Sequence, residues 1–219
     1  ASFLPVHGGR REKVSGKHID QLTRSGVIVC AGHTDATYEQ MLASFKNGVS
    51  GVTHLFNAMS QFISRSPGVV GASLANNNCY CSIIVDGHHV HYGAIKATIN
   101  AKPAGKIILV TDAMPTVGST NNAFILDGKS ILSTNGKCTT SDGTLAGADL
   151  NMIKAVQNTV TYLDVPLEEA LRMASLYPAA FLGIDNQFGY VKPGYHANLV
   201  QFNREFLVKN TWIMGDDSF

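Results

Sequence analysis

Apolar residues along this chain come in two rhythms. Four short runs, at residues 27–31, 51–55, 81–85 and 106–111, are nearly continuous in apolar character, rich in Val and Ile, and bounded by turn residues. Such runs suit strands buried on both faces, as in a parallel sheet. Between them the spacing becomes helical. Tyr38, Met41, Leu42 and Phe45 recur at i, i+3, i+4 and i+7, with Asp35 as the expected N-cap and Gly48 as the stop. A shorter helix is expected over residues 94–101. Strands alternating with helices imply βα units with right-handed crossovers.

The rhythm changes after Asp112. Phe124-Ile125-Leu126 and Ser130-Ile131-Leu132 are separated by Asp127-Gly128 and followed by Asn135-Gly136, dipeptides that favour hairpin turns. Two helices are expected next. One covers about residues 150–163, with Leu150, Ile153, Val156, Val160 and Leu163 on one face. The other starts at Pro166 and runs to about residue 176, before Pro178. The tail returns to β character at residues 189–191, 197–202 and 211–214. The pattern divides the chain into βα units over 1–122, a β insertion or hairpins over 123–142, helices associated with the βα units over 143–187, and a β segment over 188–219.

Composition narrows the function classes. Of 219 residues, 45% are hydrophobic and 15% charged, which is a globular balance, and the net charge of +1 comes without any basic stripe that would bind nucleic acid. No apolar run reaches membrane-spanning length. The first residues lack the basic segment and apolar core of a signal peptide, and there is no initiator Met, so a cytoplasmic protein whose chain starts after a cut or a missing segment is expected. Cys30, Cys79, Cys81 and Cys138 sit within apolar runs. Cys79 and Cys81, taken as facing opposite ways on one strand, make a poor disulfide and a poor metal clamp. Buried free thiols in a reducing compartment are expected.

Chemistry gathers where the apolar runs end. They lead into Gly32-His33-Thr34, into His54-Leu55-Phe56-Asn57-Ala58, into Asp86-Gly87-His88-His89 and into Thr111-Asp112-Ala113. Ligands of parallel α/β folds bind at the carboxyl ends of strands, so one rim would receive His, His, His and Asp. Neutral imidazoles suit a divalent ion such as Zn²⁺, and a carboxylate beside an acidified water can carry its proton. Taken singly, a His after a strand is more often a hydrogen-bonded structural residue than a metal ligand; His33 and His54 gain weight as a site only jointly with Asp112. Of His88, His89 and His91, at most one is expected to face the site. His7, His18 and His196 are expected at the surface, while Asp149 and Glu168 read as helix-opening acids. Gly143-Thr144-Leu145-Ala146-Gly147-Ala148, just before a helix, is either a plain turn or an anion-binding N-terminus. Arg65 is either a solvated loop charge or a phosphate clamp.

Gly32-His33-Thr34-Asp35-Ala36-Thr37, Thr53-His54-Leu55-Phe56-Asn57-Ala58-Met59, Asp86-Gly87-His88-His89 and Val110-Thr111-Asp112-Ala113 occur in that order. Gly143-Thr144-Leu145-Ala146-Gly147 and Ala174-Ser175-Leu176-Tyr177-Pro178-Ala179 follow them. Together these resemble the N-acetylglucosamine-6-phosphate deacetylases of the amidohydrolase superfamily. The resemblance implies an α/β fold: the later half of a (β/α)₈ TIM-like barrel, strands 5–8, plus part of a small β-sandwich. It implies His33 and His54 as metal ligands, with Zn²⁺ the expected metal, and Asp112 as the acid/base acting on the attacking water. It also implies that Asn57, Ala58 and Arg65 hold a sugar phosphate, the arginine reaching across a homodimer interface. His89, Leu145, Ala146 and Gly147 are implied as further substrate contacts. The substrate would be N-acetylglucosamine 6-phosphate.

The family's third metal ligand, a Glu in a Leu-Glu-Gly-Pro string, has no counterpart here. Neither Glu12 nor Glu39 stands in a matching context, and the segment around Gly8-Gly9-Arg10-Arg11 aligns with nothing in the family. A fragment is therefore expected. The alternative reading is a non-catalytic piece that keeps a sugar-phosphate-binding fold.

Overall fold

The computed structural model describes residues 2–7 along the backbone and residues 16–217 in full. Expectations placed on Gly8-Gly9-Arg10-Arg11, on Glu12 and on the side chain of His7 lie outside the described residues. The chain divides into two compact units. The first holds Ala1–Ile83, Gly93–Ile108 and Phe181–Gly183; the second holds Ile84–Tyr92, Leu109–Ala180 and Ile184–Phe219.

The first unit is built on a sheet ordered as the chain runs: β1 (Ser2–His7), β2 (Val27–Gly32), β3 (Val49–Val52), β4 (Tyr80–Ile84) and β5 (Ile107–Val110). The last residues of β4 and β5 pass into the second unit. Helices α1 (Gly16–Arg24), α2 (Tyr38–Lys46), α3 (Gly68–Ala75) and α4 (Tyr92–Ala101) fall between the strands. The pairings β1–β2, β2–β3 and β3–β4 are parallel. Val29, Val52, Cys81, Ile83 and Ile84 are buried, as the continuous apolar runs require. Each fully buried aliphatic side chain contributes about 1.5–3 kcal/mol.

Four details differ from the sequence expectation. Strand β1 was not anticipated; its Pro5 lies on the sheet edge, where a missing N–H does no harm. Helix α2 is capped by Thr37, not Asp35, through a reciprocal pair in which Gln40 N–H donates to the Thr37 hydroxyl and Thr37 N–H donates to Gln40 Oε1. Strand β3 stops at Val52, yet His54 N–H still donates to Ser82 Oγ and Leu55 N–H to Ser82 O, both at 2.8 Å. That explains why the run to residue 55 reads as strand. Finally, Cys79 and Cys81 stand two residues apart and so share a face. Both are buried, and the Cys79 thiol donates to Tyr80 O at 3.3 Å. All four cysteines are buried and free, and burial pushes the Cys30 thiol up to about 12.

Helix α3 ends over a buried lysine. Lys102 Nζ donates to the carbonyls of Ser73 at 3.0 Å and Asn76 at 2.5 Å, which neutralises the negative end of the helix.

The second unit carries an antiparallel meander, β6 (Ala123–Leu126), β7 (Lys129–Thr134), β8 (Lys137–Thr140) and β9 (Leu145–Ala148). Its two tight turns are those anticipated. Asp127-Gly128 and Asn135-Gly136 have positive φ at both positions, 48° and 75°, then 53° and 80°, as type I′ turns require. The meander reaches Ala148, whereas the sequence placed residues 143–148 in a turn or helix start. Leu145-Ala146-Gly147-Ala148 is instead a fourth strand paired to β8. Helices α5 (Met152–Leu163), α6 (Leu167–Ala174) and α7 (Leu176–Leu182) follow. Asp149 does not open α5. Asn151 caps it, accepting from Lys154 N–H, while the Asp149 carboxylate accepts from the hydroxyls of Thr116 and Ser133. Pro178 lies in the first turn of α7, where no helical N–H is needed, so the helical stretch breaks at Ser175 and resumes. Strands β10 (Leu199–Phe202), β11 (Val208–Ile213) and β12 (Asp216–Asp217) form a separate antiparallel sheet. Among the described residues no helix is long and apolar enough to cross a membrane.

Candidate active-site residues

The residues singled out from sequence fall in both units. In the first unit, β2 ends at Gly32 and β3 at Val52, so His33 follows its strand directly and His54 stands one residue beyond its own. Their rings meet edge to face with centroids 4.7 Å apart. His54 is buried, and its Nδ1 has no hydrogen-bond partner. A buried polar nitrogen left unpaired costs about 1–3 kcal/mol, so its persistence needs an explanation. Both residues also hold left-handed backbone, with φ of 48° at His33 and 33° at His54. That conformation costs a non-glycine residue about 1–2 kcal/mol.

The loop after β3 makes this strain affordable by bonding to itself. Asn57 N–H donates to His54 O at 3.0 Å, and Asn57 Nδ2 donates to the carbonyls of His54 and Leu55. Gln61 Nε2 donates to the carbonyls of Phe56 and Met59, and Ser60 Oγ donates to Ala36 O while accepting from Val69 N–H. Gly68, at φ 59°, lies so close to Ser60 that any side chain there would collide. Asn57 therefore builds the turn with its own amide and side chain. Ala58, at φ 49°, and Arg65 are exposed on this loop and the one after it.

In the second unit, Asp112 is exposed and is the third of these strand-end residues with left-handed backbone, at φ 50°. Strand β9 is zipped to it: Ala148 N–H donates to Asp112 O, and Met114 N–H donates to Ala148 O, both at 2.9 Å. The end of β9, at Ala148, is thus held beside Asp112. Gly147 has φ 76°, and a side chain there would run into Met114. The neighbouring His88 and His89 separate. His88 Nε2 lies 3.2 Å from Asn135 O in the β7–β8 turn, whereas His89 Nδ1 lies 2.6 Å from Asp86 Oδ2. Burial alone would raise the Asp86 carboxyl, but hydrogen bonds from the His89 ring and from the His89 and His88 amides hold it below the usual carboxylate range. Sequence reasoning did not give Asp86 a role of its own. The signal was its position three residues before His89.

Whether these residues suit a divalent cation can be tested on the donor set. Two imidazoles in ring contact, one with an orphaned buried nitrogen, fit as part of such a site. Among the described residues no cluster of three or more His, Cys, Asp or Glu could hold a metal. The fit is that of two ligands.

Residues 21–216 match the Amidohydrolase family, and the chain belongs to it. The relatives it resembles are narrower in kind. It is 41% identical over 196 residues to N-acetylglucosamine-6-phosphate deacetylase of Haemophilus influenzae, covering 88% of this chain and 51% of that protein. It is 37% identical over 197 residues to N-acetylgalactosamine-6-phosphate deacetylase of Escherichia coli O157:H7, covering 90% and 52%. The crystal structure of N-acetylglucosamine-6-phosphate deacetylase from Pasteurella multocida superposes with a TM-score of 0.93 at 38% identity, over 99% of this chain and 56% of that one. The chain spans about half the length of these relatives, in keeping with the expected partial barrel with a β domain.

Proposed function

We propose that the protein hydrolyses the acetamide of N-acetylglucosamine 6-phosphate to glucosamine 6-phosphate and acetate. The observation that carries this reading is the His33–His54 pair with its unpartnered buried nitrogen, in a chain of the amidohydrolase family. His33 and His54 would hold a divalent cation, Zn²⁺ in this reading. When bound, such an ion supplies Lewis acidity and lowers the pKa of water. Asp112 takes a proton from the attacking water and hands it to the departing amine as the C–N bond breaks. Arg65 and the backbone around Asn57 and Ala58 hold the phosphate, the arginine acting across a homodimer interface. Leu145, Ala146, Gly147 and His89 contact the sugar. Four free buried thiols support a reducing, cytoplasmic setting.

Relatives named for the galactosamine substrate, at 37% and 39% identity, favour a second reading in which the sugar is the 4-epimer. The test measures acetate release by the full-length protein from both N-acetylhexosamine 6-phosphates and from unphosphorylated N-acetylglucosamine. Release from neither phosphorylated sugar sinks the proposal, and the ratio between the two chooses the epimer. Arg65→Ala should raise KM for the phosphorylated sugar by about 10- to 100-fold, the scale of a lost charged hydrogen bond. An equal rise with the unphosphorylated sugar removes the phosphate role.

A further inference from the structure

Three features of the second unit converge on the short loop after β4. The Asp86 carboxylate is fully engaged by that loop: Oδ1 accepts from His88 N–H at 2.8 Å and from His89 N–H at 2.9 Å, and Oδ2 lies 2.6 Å from His89 Nδ1. The two side chains are only 4% and 6% exposed, so water does not compete for this contact. Gly87, at φ 77°, passes so close to the Tyr92 ring that a side chain would meet it at 2.9–3.0 Å. Helix α5 then grips both ends of the loop with residues one turn apart. Buried Asn158 donates through Nδ2 to Val85 O at 2.8 Å, and the Tyr162 ring stacks on Tyr92 at 4.5 Å.

We propose that Asp86 is a positioning residue that fixes the orientation and tautomer of the His89 ring, and that Asn158 and Tyr162 hold the loop that carries them both. An ionised carboxylate can only accept, so His89 Nδ1 carries the proton. With Nδ1 committed, the ring can reach a substrate only through Nε2. In the neutral ring Nε2 bears a lone pair, ready to accept from a sugar hydroxyl or amide N–H. When protonated it donates, with the imidazolium stabilised by the carboxylate behind it. An unanchored imidazole would sample both tautomers and several rotamers. The contact with substrate rests on the function proposed above; the anchoring of the ring does not.

The test uses the full-length protein with ¹⁵N-labelled histidine. Wild-type His89 should show protonated Nδ1 and unprotonated Nε2 in its neutral form. Asp86→Asn keeps a side-chain oxygen for the two loop amides but offers N–H to the ring, so the proton should move to Nε2. The same variant should lose kcat/KM by about 10- to 100-fold, the usual cost of removing a histidine's supporting partner, with metal content unchanged. In a His89→Ala background it should have no further effect. A wild-type His89 protonated at Nε2 overturns the proposal without any variant. So does an Asp86→Asn protein whose His89 tautomer is unchanged, or one whose loss of activity persists in the His89→Ala background. If His89→Ala alone leaves kcat/KM untouched while the tautomer shifts as expected, the substrate contact is wrong and the anchoring stands.

Discussion

At the end of β3, the buried Nδ1 of His54 has no hydrogen-bond partner; after β4, the Nδ1 of His89 faces a carboxylate at 2.6 Å. Both are imidazoles at the rim of a sheet, yet only His89 has had its proton assigned by the protein. The His54 loop binds its own carbonyls through Asn57 and Gln61, and so fixes the backbone while leaving the ring nitrogen to an outside electron-pair acceptor. The His89 loop fixes the ring itself. On the function proposed above, the difference separates a residue that would hold a cation from one that would touch an organic substrate.

The largest effect that could break this contrast concerns Asp112. In the full-length protein Asp112→Asn should lose about 10²–10⁴ in kcat while metal content is kept. Near-normal turnover would leave Asp112 as a strand-end cap, bonded to β9 through its backbone and no more. A direct comparison of the two histidines comes next. His54→Ala should weaken metal retention by more than the ~10–100-fold typical of outer partners, and His89→Ala should leave it intact, as read by elemental analysis after dialysis. Equal loss in both variants would erase the distinction. The smallest effect is on stability. Gly147→Ala forces a side chain into left-handed backbone against Met114 and should cost about 1–3 kcal/mol in denaturant unfolding, with turnover falling because β9 is bonded to Asp112. An unchanged midpoint would show that Met114 yields freely.

Much of this arrangement was legible in the sequence, for reasons that can be named. Continuous apolar runs mark strands buried on both faces, and four of the five strands of the parallel sheet were found that way. The type I′ turns at Asp127-Gly128 and Asn135-Gly136 follow from backbone sterics alone. Strand β1 stayed hidden because Pro5 argues against a strand unless its edge position is known. Strand β9 stayed hidden because Leu145-Ala146-Gly147-Ala148 has neither alternation nor β-branching; its pairing comes from β8 and from the backbone at Asp112 and Met114. The error at Cys79 and Cys81 was one of geometry, since positions i and i+2 of a strand lie on one face. His33 and His54 were readable as strand-end residues, but their left-handed backbone and the orphaned nitrogen were not. Those depend on how the following loop closes.

Gly51 has a consequence for the order in which the chain is made. Any side chain there would collide with Cys30 and with the ring of Phe181, and Phe181 also packs on Tyr80 at 4.7 Å. The slot is formed by the early strands and filled by a residue far later in the chain, which belongs to the first unit by its contacts. On the ribosome the sheet is translated long before its plug. Until residue 181 emerges, Tyr80 and the Gly51 slot present an open apolar face. Closing a loop of that length is slow and favours chaperone capture or aggregation of the nascent chain in the interval.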